Sequence, residues 1–400
     1  MRLLFAVQRF GHEVAGGAES FGRELATRMA GRGHDVHVVT SCARSYVDWA
    51  DEYPPGESQF DGVTLHRLPV VRPRDNDLFN MLNVRVNAGD RPTPLYLQEE
   101  WMRLQGPVLQ GYEAWLDERA GEFDAAAFVT YLYWTSWAGI PVAASQTPTI
   151  FHPLAHDEPP LYLPLYDASY RHASAFAFLT PEEAELVERR FRVRRPSIVL
   201  GAGVELDATG DAARFRAAHR LGDDPYLLFV GRIDPHKGSD ELFDHFRAYK
   251  ELHPGPLKLV FVGEPVRPLP PHPDVVVTGF VDDAVRVDAM AGALALAVPS
   301  YFESFSIVLV EAWAQGVPAL VQSRCDVLRG QARRSNGAIP YGGFAEFEAA
   351  VDALVHDEPL RTALGEAGRA YVNDLYAWPR VLDVYEEFVT GIAARRRDIA

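Results

Sequence analysis

Residues 298–320 have the sequence VPSYFESFSIVLVEAWAQGVPAL, which places two carboxylates, Glu303 and Glu311, eight positions apart in an otherwise apolar stretch. Ser304 or Ser306 can cap a helix here, and the apolar run that follows supplies its first turns. A glycine and a proline near the end of the stretch then terminate the helix. The pattern predicts Glu303 just before a helix N-terminus and Glu311 within the helix.

The setting of the two acids suggests ligand binding. Unpaired backbone N–H groups and the dipole of the helix favour an anion close to Glu303. Glu311 has apolar neighbours, so we expect it to be partly buried and to need a polar partner such as a ribose. An anion site bordered by acids suits a ligand that also carries hydroxyl groups. The alternative is an exposed loop acid and a solvent-facing helix residue.

Length, charge and cysteine content limit the class of protein. The chain has 400 residues, too many for one compact core, which favours two domains with a cleft between them. A net charge of −16 argues against nucleic acid as a general partner, because phosphate backbones require an excess of Lys and Arg. Cys42 and Cys325 provide neither a disulfide framework nor metal-ligand spacing. The apolar run at 3–7 is too short for a signal peptide, so we expect a soluble cytoplasmic protein.

The amino-terminal residues predict a β-α-β opening, with a strand at 3–7, a helix at 19–31 and a strand at 37–40. Gly16 and Gly17 fall at the strand-to-helix turn, where missing side chains let backbone amides approach a phosphate or a sugar. A tight turn without a ligand is the alternative, because this pair is not the spaced three-glycine dinucleotide motif.

Residues 72–91 form a basic and polar stretch that we interpret as an irregular excursion. Its arginines could line an anionic acceptor site or face a membrane surface, although a solvated face is the alternative. They are Arg72, Arg74, Arg85 and Arg91. The triplet Asp-Asn-Asp at 75–77 has the form of a metal-dependent sugar-nucleotide motif. Its place in a Pro- and Arg-rich loop, not after an apolar strand, argues against a metal.

Two histidines follow one of the predicted strands, which lie at 128–134 and 148–151. His152 and His156 could bind zinc together only if they lay on a helix, and the prolines around them argue against one. A histidine in a loop at the carboxyl edge of a sheet can instead hydrogen-bond a ligand hydroxyl. We favour His156 for this role and keep His152 as a rival. A structural loop histidine is the alternative.

A buried strand at 226–230 leads into Gly-Arg-Ile-Asp-Pro-His-Lys-Gly at 231–238 and then into a helix at 239–252. Arg232 offers a planar fork of donors and Lys237 a point charge. Together with the helix N-terminus, these cations predict a clamp for a diphosphate. Surface cations on a loop are the alternative interpretation.

Three of these motifs occur in an order that resembles the family-4 retaining glycosyltransferases with the GT-B fold. They are the glycine turn at 16–19, the R-x4-K-G element within 231–238, and the E-x7-E element at 303–311. The resemblance implies an α/β protein with two Rossmann-like domains facing each other across a cleft. The implied ranges are 1–203 for the acceptor domain, 204–378 for the donor domain, and 379–400 for a helix that crosses back to the first domain.

The resemblance also implies site residues. The implied catalytic residues are Glu303, Arg232, Lys237 and His156. The implied donor- and phosphate-binding residues are Gly16, Gly17, Gly231, Phe280, Val281, Phe305, Ser306 and Glu311. Arg232 and Lys237 would bind the diphosphate and Glu311 the ribose, while Glu303 and His156 would contact the donor sugar.

Backbone groups complete the implied site. Gly17 would face a phosphate or the acceptor, and the amides of Phe305 and Ser306 would face the distal phosphate. The turn at 279–281 would lie beside the base. Many family members have glycine where this chain has Ser306, which makes the closest backbone approach to the phosphate less certain here.

The implied reaction moves a sugar from a nucleotide diphosphate to an acceptor hydroxyl with retention of configuration and without a metal or other cofactor. A hexosyltransferase of glycan, polysaccharide or glycoconjugate biosynthesis is expected, with a sugar, lipid-linked or small-molecule acceptor and peripheral contact with the inner face of the membrane. The donor sugar, the base and the oligomeric state stay open. Alternatives are a sugar-nucleotide epimerase, an α-glucan phosphorylase-like enzyme and a non-catalytic nucleotide-sugar-binding module. A nicotinamide oxidoreductase is disfavoured, because neither half has the spaced glycine motif.

Overall fold

The backbone divides into two compact units in a computed structural model that describes residues 1–14, 16–88 and 92–397. Unit 1 comprises Met1–Leu200 together with Leu382–Ala400, and unit 2 comprises Gly201–Val381. Arg91, one of the arginines considered for an acceptor site, lies outside the described residues.

Unit 1 is built on an eight-stranded sheet with the order β3-β4-β2-β1-β5-β6-β7-β8. Its strands are β1 (Arg2–Ala6), β2 (Asp35–Ser41), β3 (Gly56–Phe60), β4 (Val63–Leu68), β5 (Ala125–Val129), β6 (Thr149–His152), β7 (Ala175–Phe178) and β8 (Ser197–Val199). All pairs are parallel except β3 with β4, which form an antiparallel edge. The chain leaves β1 on one side for β2 and returns on the other side at β5. This change of direction opens a crevice at the carboxyl ends of β1 and β5, where ligands of α/β sheets bind.

Seven helices belong to the first part of the chain. They are α1 (Gly17–Gly31), α2 (Asn76–Ala88), α3 (Leu95–Gln105), α4 (Tyr112–Arg119), α5 (Trp134–Ala143), α6 (Asp167–His172) and α7 (Pro181–Phe191). The interpretation of 72–91 as irregular was wrong, because α2 occupies most of it. Leu78, Leu82 and Val86 recur every four residues and place one face of α2 against the core, with Leu82 and Val86 fully buried.

The predicted strand at 128–134 also needs correction. The strand is β5, which ends at Val129, and a helix begins at Trp134. Thr130 has a left-handed backbone with φ of 63°, which a strand cannot continue. Its N–H donates to the carbonyl of His152 at 2.8 Å, so this turn is tied to the end of β6.

Unit 2 contains a six-stranded parallel sheet with the order β11-β10-β9-β12-β13-β14. Its strands are β9 (Tyr226–Val230), β10 (Lys258–Val262), β11 (Val275–Val277), β12 (Ala295–Val298), β13 (Ala319–Gln322) and β14 (Ala338–Tyr341). Its helices are α8 (Ala212–Ala218), α9 (Ser239–Leu252), α10 (Asp283–Ala291), α11 (Ile307–Ala314), α12 (Asp326–Ser335), α13 (Phe344–His356) and α14 (Glu358–Leu375). The strand order changes direction between β9 and β12, which defines a second crevice at the carboxyl ends of these strands.

The last helix, α15 (Trp378–Arg397), begins in unit 2 and enters unit 1 from Leu382 onward. Its Tyr385 is fully buried, and the hydroxyl of Tyr385 lies 3.0 Å from Nε2 of His152. The prediction of a carboxyl-terminal helix that returns to the first domain is therefore confirmed. Within the described ranges, no helix combines the length and the apolar character needed to cross a membrane.

Two buried histidines on neighbouring strands of unit 1 form a hydrogen-bonded pair. His37 Nδ1 and His66 Nε2 lie 2.8 Å apart, so one ring donates and the other accepts. Burial lowers the pKa of both imidazoles, and the pKa of His66 falls to about 4. The pair requires rings that are not both protonated, because a protonated imidazole has only donors to offer.

We expect the protein to lose stability as the pH falls from about 6.5 to about 4. The unfolded chain takes up protons near its ordinary histidine pKa of about 6.5, while the folded pair stays neutral, so acid favours the unfolded state by roughly 1–3 kcal/mol. Thermal unfolding against pH measures this slope. It should flatten in a double variant with His37→Asn and His66→Asn. His12→Asn, at a side chain that is 68% exposed, should keep the wild-type slope. Equal slopes in all three proteins would contradict this origin.

Candidate active site

Arg232 follows β9 at the second crevice. Gly231 turns the chain there with φ of 138°, a region that glycine reaches without strain. The Nη2 of Arg232 lies 2.8 Å from Oδ2 of Asp234, and the other carboxylate oxygen of Asp234 accepts the N–H of His236 at 2.9 Å. Asp234 thereby holds the guanidinium and the following turn in one arrangement. About half of the Arg232 side chain is exposed.

Lys237 and Glu303 come together from two separate motifs. The Nζ of Lys237 donates to Oε1 of Glu303 at 2.8 Å, and the Glu303 side chain is only 13% exposed. Gly238 lies in the left-handed region with φ of 73°, directly before α9. A Cβ on Gly238 would lie 2.4 Å from the carbonyl oxygen of Pro299. Glycine is therefore required where the turn before α9 meets the residue after β12.

Ser306 occupies the N-cap position of α11 with a left-handed backbone, φ 69° and ψ 80°. Ser306 was one of the two serines predicted to cap this helix, and it holds that position without a bond from its hydroxyl to an N–H of α11. That hydroxyl is buried and makes no hydrogen bond to the described residues. Gln331 of α12 donates its amide to the carbonyl of Phe305, which fixes the turn from the other side. The positive φ agrees with glycine being common at this position in the family.

Glu311 lies within α11, as predicted, and forms an ion pair that the sequence did not reveal. Its Oε2 accepts Nη1 of Arg286 from α10, and Nη2 of Arg286 lies 3.0 Å from Asp283. Burial raises the pKa of Glu311, while Arg286 opposes that increase. Arg286 lies in α10, which begins two residues after the turn at 279–281. Nothing in its spacing related it to an acid 25 positions later.

The turn predicted to lie beside the base joins the same edge of the sheet. Gly279 has φ of 75°, and its carbonyl accepts the N–H of Gly263 at 2.9 Å. A Cβ on Gly263 would lie 1.9 Å from the carbonyl oxygen of Gly231. The backbones just after β9 and β10 are therefore too close together for a side chain at residue 263. Phe280 is 75% exposed and Val281 is half-buried. The turn thus presents an exposed aromatic ring at the residue after Gly279.

The glycine pair of unit 1 lies at the first crevice. Gly16 has φ of 149°, and a Cβ there would lie 2.2 Å from Oε2 of Glu19. Glu19 is buried, and its Oε1 accepts Nε of Arg9 at 2.9 Å. Gly17 has no atom within 4 Å of its Cβ position, so the amino end of α1 is open to a ligand.

The two rival histidines have different surroundings. His152 is fully buried between α1 and α15, and burial lowers its pKa to about 3. Its Nε2 is engaged by the hydroxyl of Tyr385. His156 lies four residues further along, with a side chain that is 30% exposed and Nδ1 at 3.4 Å from Oε1 of Glu158. Of the two, His156 is accessible to a ligand.

Two of the arginines considered for an acceptor site have different partners in unit 1. Arg74 donates Nε to the carbonyl of Leu104 at 2.8 Å and Nη2 to that of Gln105, and burial lowers its pKa to about 10. It therefore binds the last carbonyls of α3. Arg72 is exposed and lies 3.4 Å from Glu100. Across the described ranges, no cluster of three or more His, Cys, Asp or Glu residues could hold a metal.

Two α/β units with largely parallel sheets and a final helix that returns to the first unit are the architecture of the GT-B fold. Solved structures agree with this fold. Sucrose-phosphate synthase from Thermosynechococcus elongatus superposes with a TM-score of 0.69 at 17% identity, over 99% of this chain and 100% of that chain. Anabaena Alr3699/HepE in complex with UDP and glucose superposes with a TM-score of 0.66 at 14% identity, over 98% of this chain and 100% of that chain.

Family comparisons cover most of the chain. Residues 16–203 match the glycosyl transferase 4-like domain, and residues 211–371 match glycosyl transferases group 1. The D-inositol 3-phosphate glycosyltransferase of Stackebrandtia nassauensis is 27% identical over 406 residues, which cover 92% of this chain and 85% of that protein. The chain belongs to the family-4 glycosyltransferases, and it is a glycosyltransferase that uses a nucleotide-sugar donor.

Proposed function

We propose that this enzyme transfers a sugar with retention of anomeric configuration and without a metal ion. The observation that carries the proposal is the contact between Lys237 and Glu303, which joins the turn after β9, where Arg232 also lies, to the segment just before α11. Negative charge grows on the departing diphosphate in the transition state, so cations and helix amides held in place lower the barrier. Two side-chain cations and a helix N-terminus supply the charge that a metal provides in other enzymes.

The acids of the site then bind hydroxyl groups. Glu303 receives the hydroxyls of the donor sugar and Glu311 those of the ribose. The amides of Phe305 and Ser306 face the distal phosphate. The two acids are already paired with cations in the chain, Glu303 with Lys237 and Glu311 with Arg286. When the donor binds, Lys237 and Glu303 exchange each other for the donor. The diphosphate attracts Lys237, and the sugar hydroxyls hydrogen-bond the carboxylate of Glu303.

The remaining contacts with the donor and the acceptor come from loops at the ends of the strands. The base packs beside Phe280 and Val281, where Phe280 offers an exposed ring. Gly231 lets the backbone approach the diphosphate, and the open amino end of α1 at Gly16 and Gly17 receives a phosphate or the acceptor. His156 contacts the transferred sugar. In this assignment residues 204–378 bind the donor and residues 1–203 bind the acceptor.

The acceptor is a hydroxyl of a sugar, a lipid-linked intermediate or a small molecule. A role in glycan or glycoconjugate assembly fits this range, with peripheral contact at the inner face of the membrane when the acceptor is a lipid. Known relatives support a phosphorylated polyol as the first acceptor to test, because one of them is named for inositol 3-phosphate.

Two measurements test the proposal. A thermal-shift panel of nucleoside diphosphates and nucleotide sugars should show stabilisation by one donor, since ligands that bind only the folded state raise Tm. Transfer with that donor should continue in excess EDTA and give a product of unchanged anomeric configuration by NMR. Loss of turnover in EDTA that is restored by a divalent cation would contradict metal independence. An inverted product would contradict retention.

A further inference from the structure

A buried carboxylate joins two loops at the carboxyl edge of the unit 1 sheet. Glu183 is fully buried in the first turn of α7. Its Oε2 accepts the N–H of Leu179 at 2.7 Å, from the turn that precedes the helix. Its Oε1 accepts the N–H of Ala155 at 2.8 Å, from the loop that follows β6. One side chain therefore ties the end of β7 to the loop that carries His156.

The bond between the N–H of Ala155 and Glu183 is not needed to cap α7. Thr180 already caps α7, because its Oγ1 accepts the N–H of Glu183 at 3.2 Å. A glutamate at this position in a capping box reaches back to its own helix N-terminus. Glu183 does this through Leu179, and its other oxygen reaches a loop 28 positions earlier in the chain.

The bond from Ala155 to Glu183 lies beside a strained residue of the loop. Leu154 has a left-handed backbone with φ of 51°, an unfavourable conformation for a residue with a side chain. Strained residues of this kind persist only where surrounding contacts hold them. The carboxylate of Glu183 bonds the next residue, Ala155, and His156 follows directly.

The ionisation of Glu183 is set by opposing effects. Burial raises its pKa to about 7, while the backbone N–H groups of Leu179 and Ala155 and the nearby His156 act in the opposite direction. Burial and, secondarily, the charge of Glu183 raise the pKa of the Tyr170 phenol on α6. A carboxyl group held in the interior, with each oxygen accepting a backbone N–H, indicates a requirement for its two acceptor oxygens.

We propose that Glu183 is a positioning residue for glycosyl transfer, whose buried carboxylate fixes the loop that presents His156. This inference rests on the proposed function, in which His156 contacts the transferred sugar. Glu183 itself does not touch the substrate. Its contribution is the position of the imidazole, and small displacements of a contacting group are costly for the rate.

The test compares Glu183→Gln with Thr180→Ala. The glutamine keeps the size of the side chain but turns an –NH2 toward one of the two N–H groups, so one loop is released. We expect kcat to fall about 10- to 100-fold with KM for the donor within about twofold. Thr180→Ala weakens the same helix terminus but keeps the bond to Ala155. It should lower Tm by a few degrees and leave kcat unchanged.

A double variant tests whether the effect of Glu183 on kcat depends on His156. If Glu183 acts through His156, then Glu183→Gln should add little to the loss caused by His156→Ala. Multiplied losses in the double variant would overturn the inference, and so would equal kcat in Glu183→Gln and the wild type. Glu183→Asp provides a second variant if the glutamine protein does not fold, with a kcat between those of the wild type and His156→Ala. Unchanged activity in His156→Ala alone would instead contradict the proposed role of His156.

Discussion

Replacement of Lys237 by alanine should lower kcat/KM for glycosyl transfer by about 10²- to 10³-fold, the loss typical of one donor removed from an anion-stabilising site. Lys237 lies 2.8 Å from Glu303 at the crevice of unit 2. Removal of the cation takes away charge that the departing diphosphate needs and leaves the carboxylate of Glu303 without that partner. Initial rates with the donor found in the thermal-shift panel measure the effect. Arg232→Ala and Glu303→Ala should lower kcat/KM by at least as much.

Lys258→Ala is the matched control for Lys237→Ala. Lys258 begins β10, at the opposite end of the same sheet, and its Nζ donates to Oδ1 of Asp274 at 2.8 Å. This variant also removes a lysine and breaks an ion pair of unit 2, so it reports the cost of such a change away from the crevice. Its transfer rate should equal that of the wild type. Wild-type rates in the Lys237, Arg232 and Glu303 variants together would contradict the proposed donor site.

Gly263→Ala should destabilise the protein by about 3 to 5 kcal/mol and lower the Tm by roughly 10 °C. Gly263 has φ of 145°, where a residue with a side chain is strained. The added Cβ would lie 1.9 Å from the carbonyl oxygen of Gly231, which is backbone and cannot rotate away. The ends of β9 and β10 would have to separate. Calorimetry measures the loss, and transfer should fall with it because Arg232 follows Gly231 directly.

Gly255→Ala makes the same chemical change in the same unit without the steric conflict. No atom lies within 4 Å of its Cβ position. Its Tm should stay within about 2 °C of the wild type, since substitutions without a specific mechanism change stability little. A Tm of Gly263→Ala equal to that of Gly255→Ala would show that the turn after β10 adjusts freely.

Local signals were enough to predict the elements that hold the donor site. The strand Tyr226–Val230 and the helix Ser239–Leu252 have the predicted bounds. The apolar run of the strand and the glycine before the helix act over only a few residues. The places of Glu303 before α11 and of Glu311 within it were confirmed for the same reason.

The prediction of secondary structure failed at residues 72–91, where the polar composition concealed the helical spacing of the apolar residues. Residues 72–91 are rich in arginine, asparagine and aspartate, and this composition obscured the helix α2. The residues of α2 that face the core, Leu78, Leu82 and Val86, are spaced four apart and are stabilised by the core beneath them. Packing of one face decided the conformation there, because helices in proteins gain most of their stability from tertiary contacts.

The sequence by itself determined the order of strands and helices, the turns that need glycine, and the residue types that suit a diphosphate and hydroxyl groups. Only the tertiary structure decided which charged side chains and backbone groups form bonds with one another. Lys237 and Glu303 are 66 positions apart, and Ala155 and Glu183 are 28 apart. The physical reason is the parallel sheet, which brings the carboxyl ends of its strands to one edge. The neighbours at that edge depend on how the whole unit packs, and no short window of sequence contains that information.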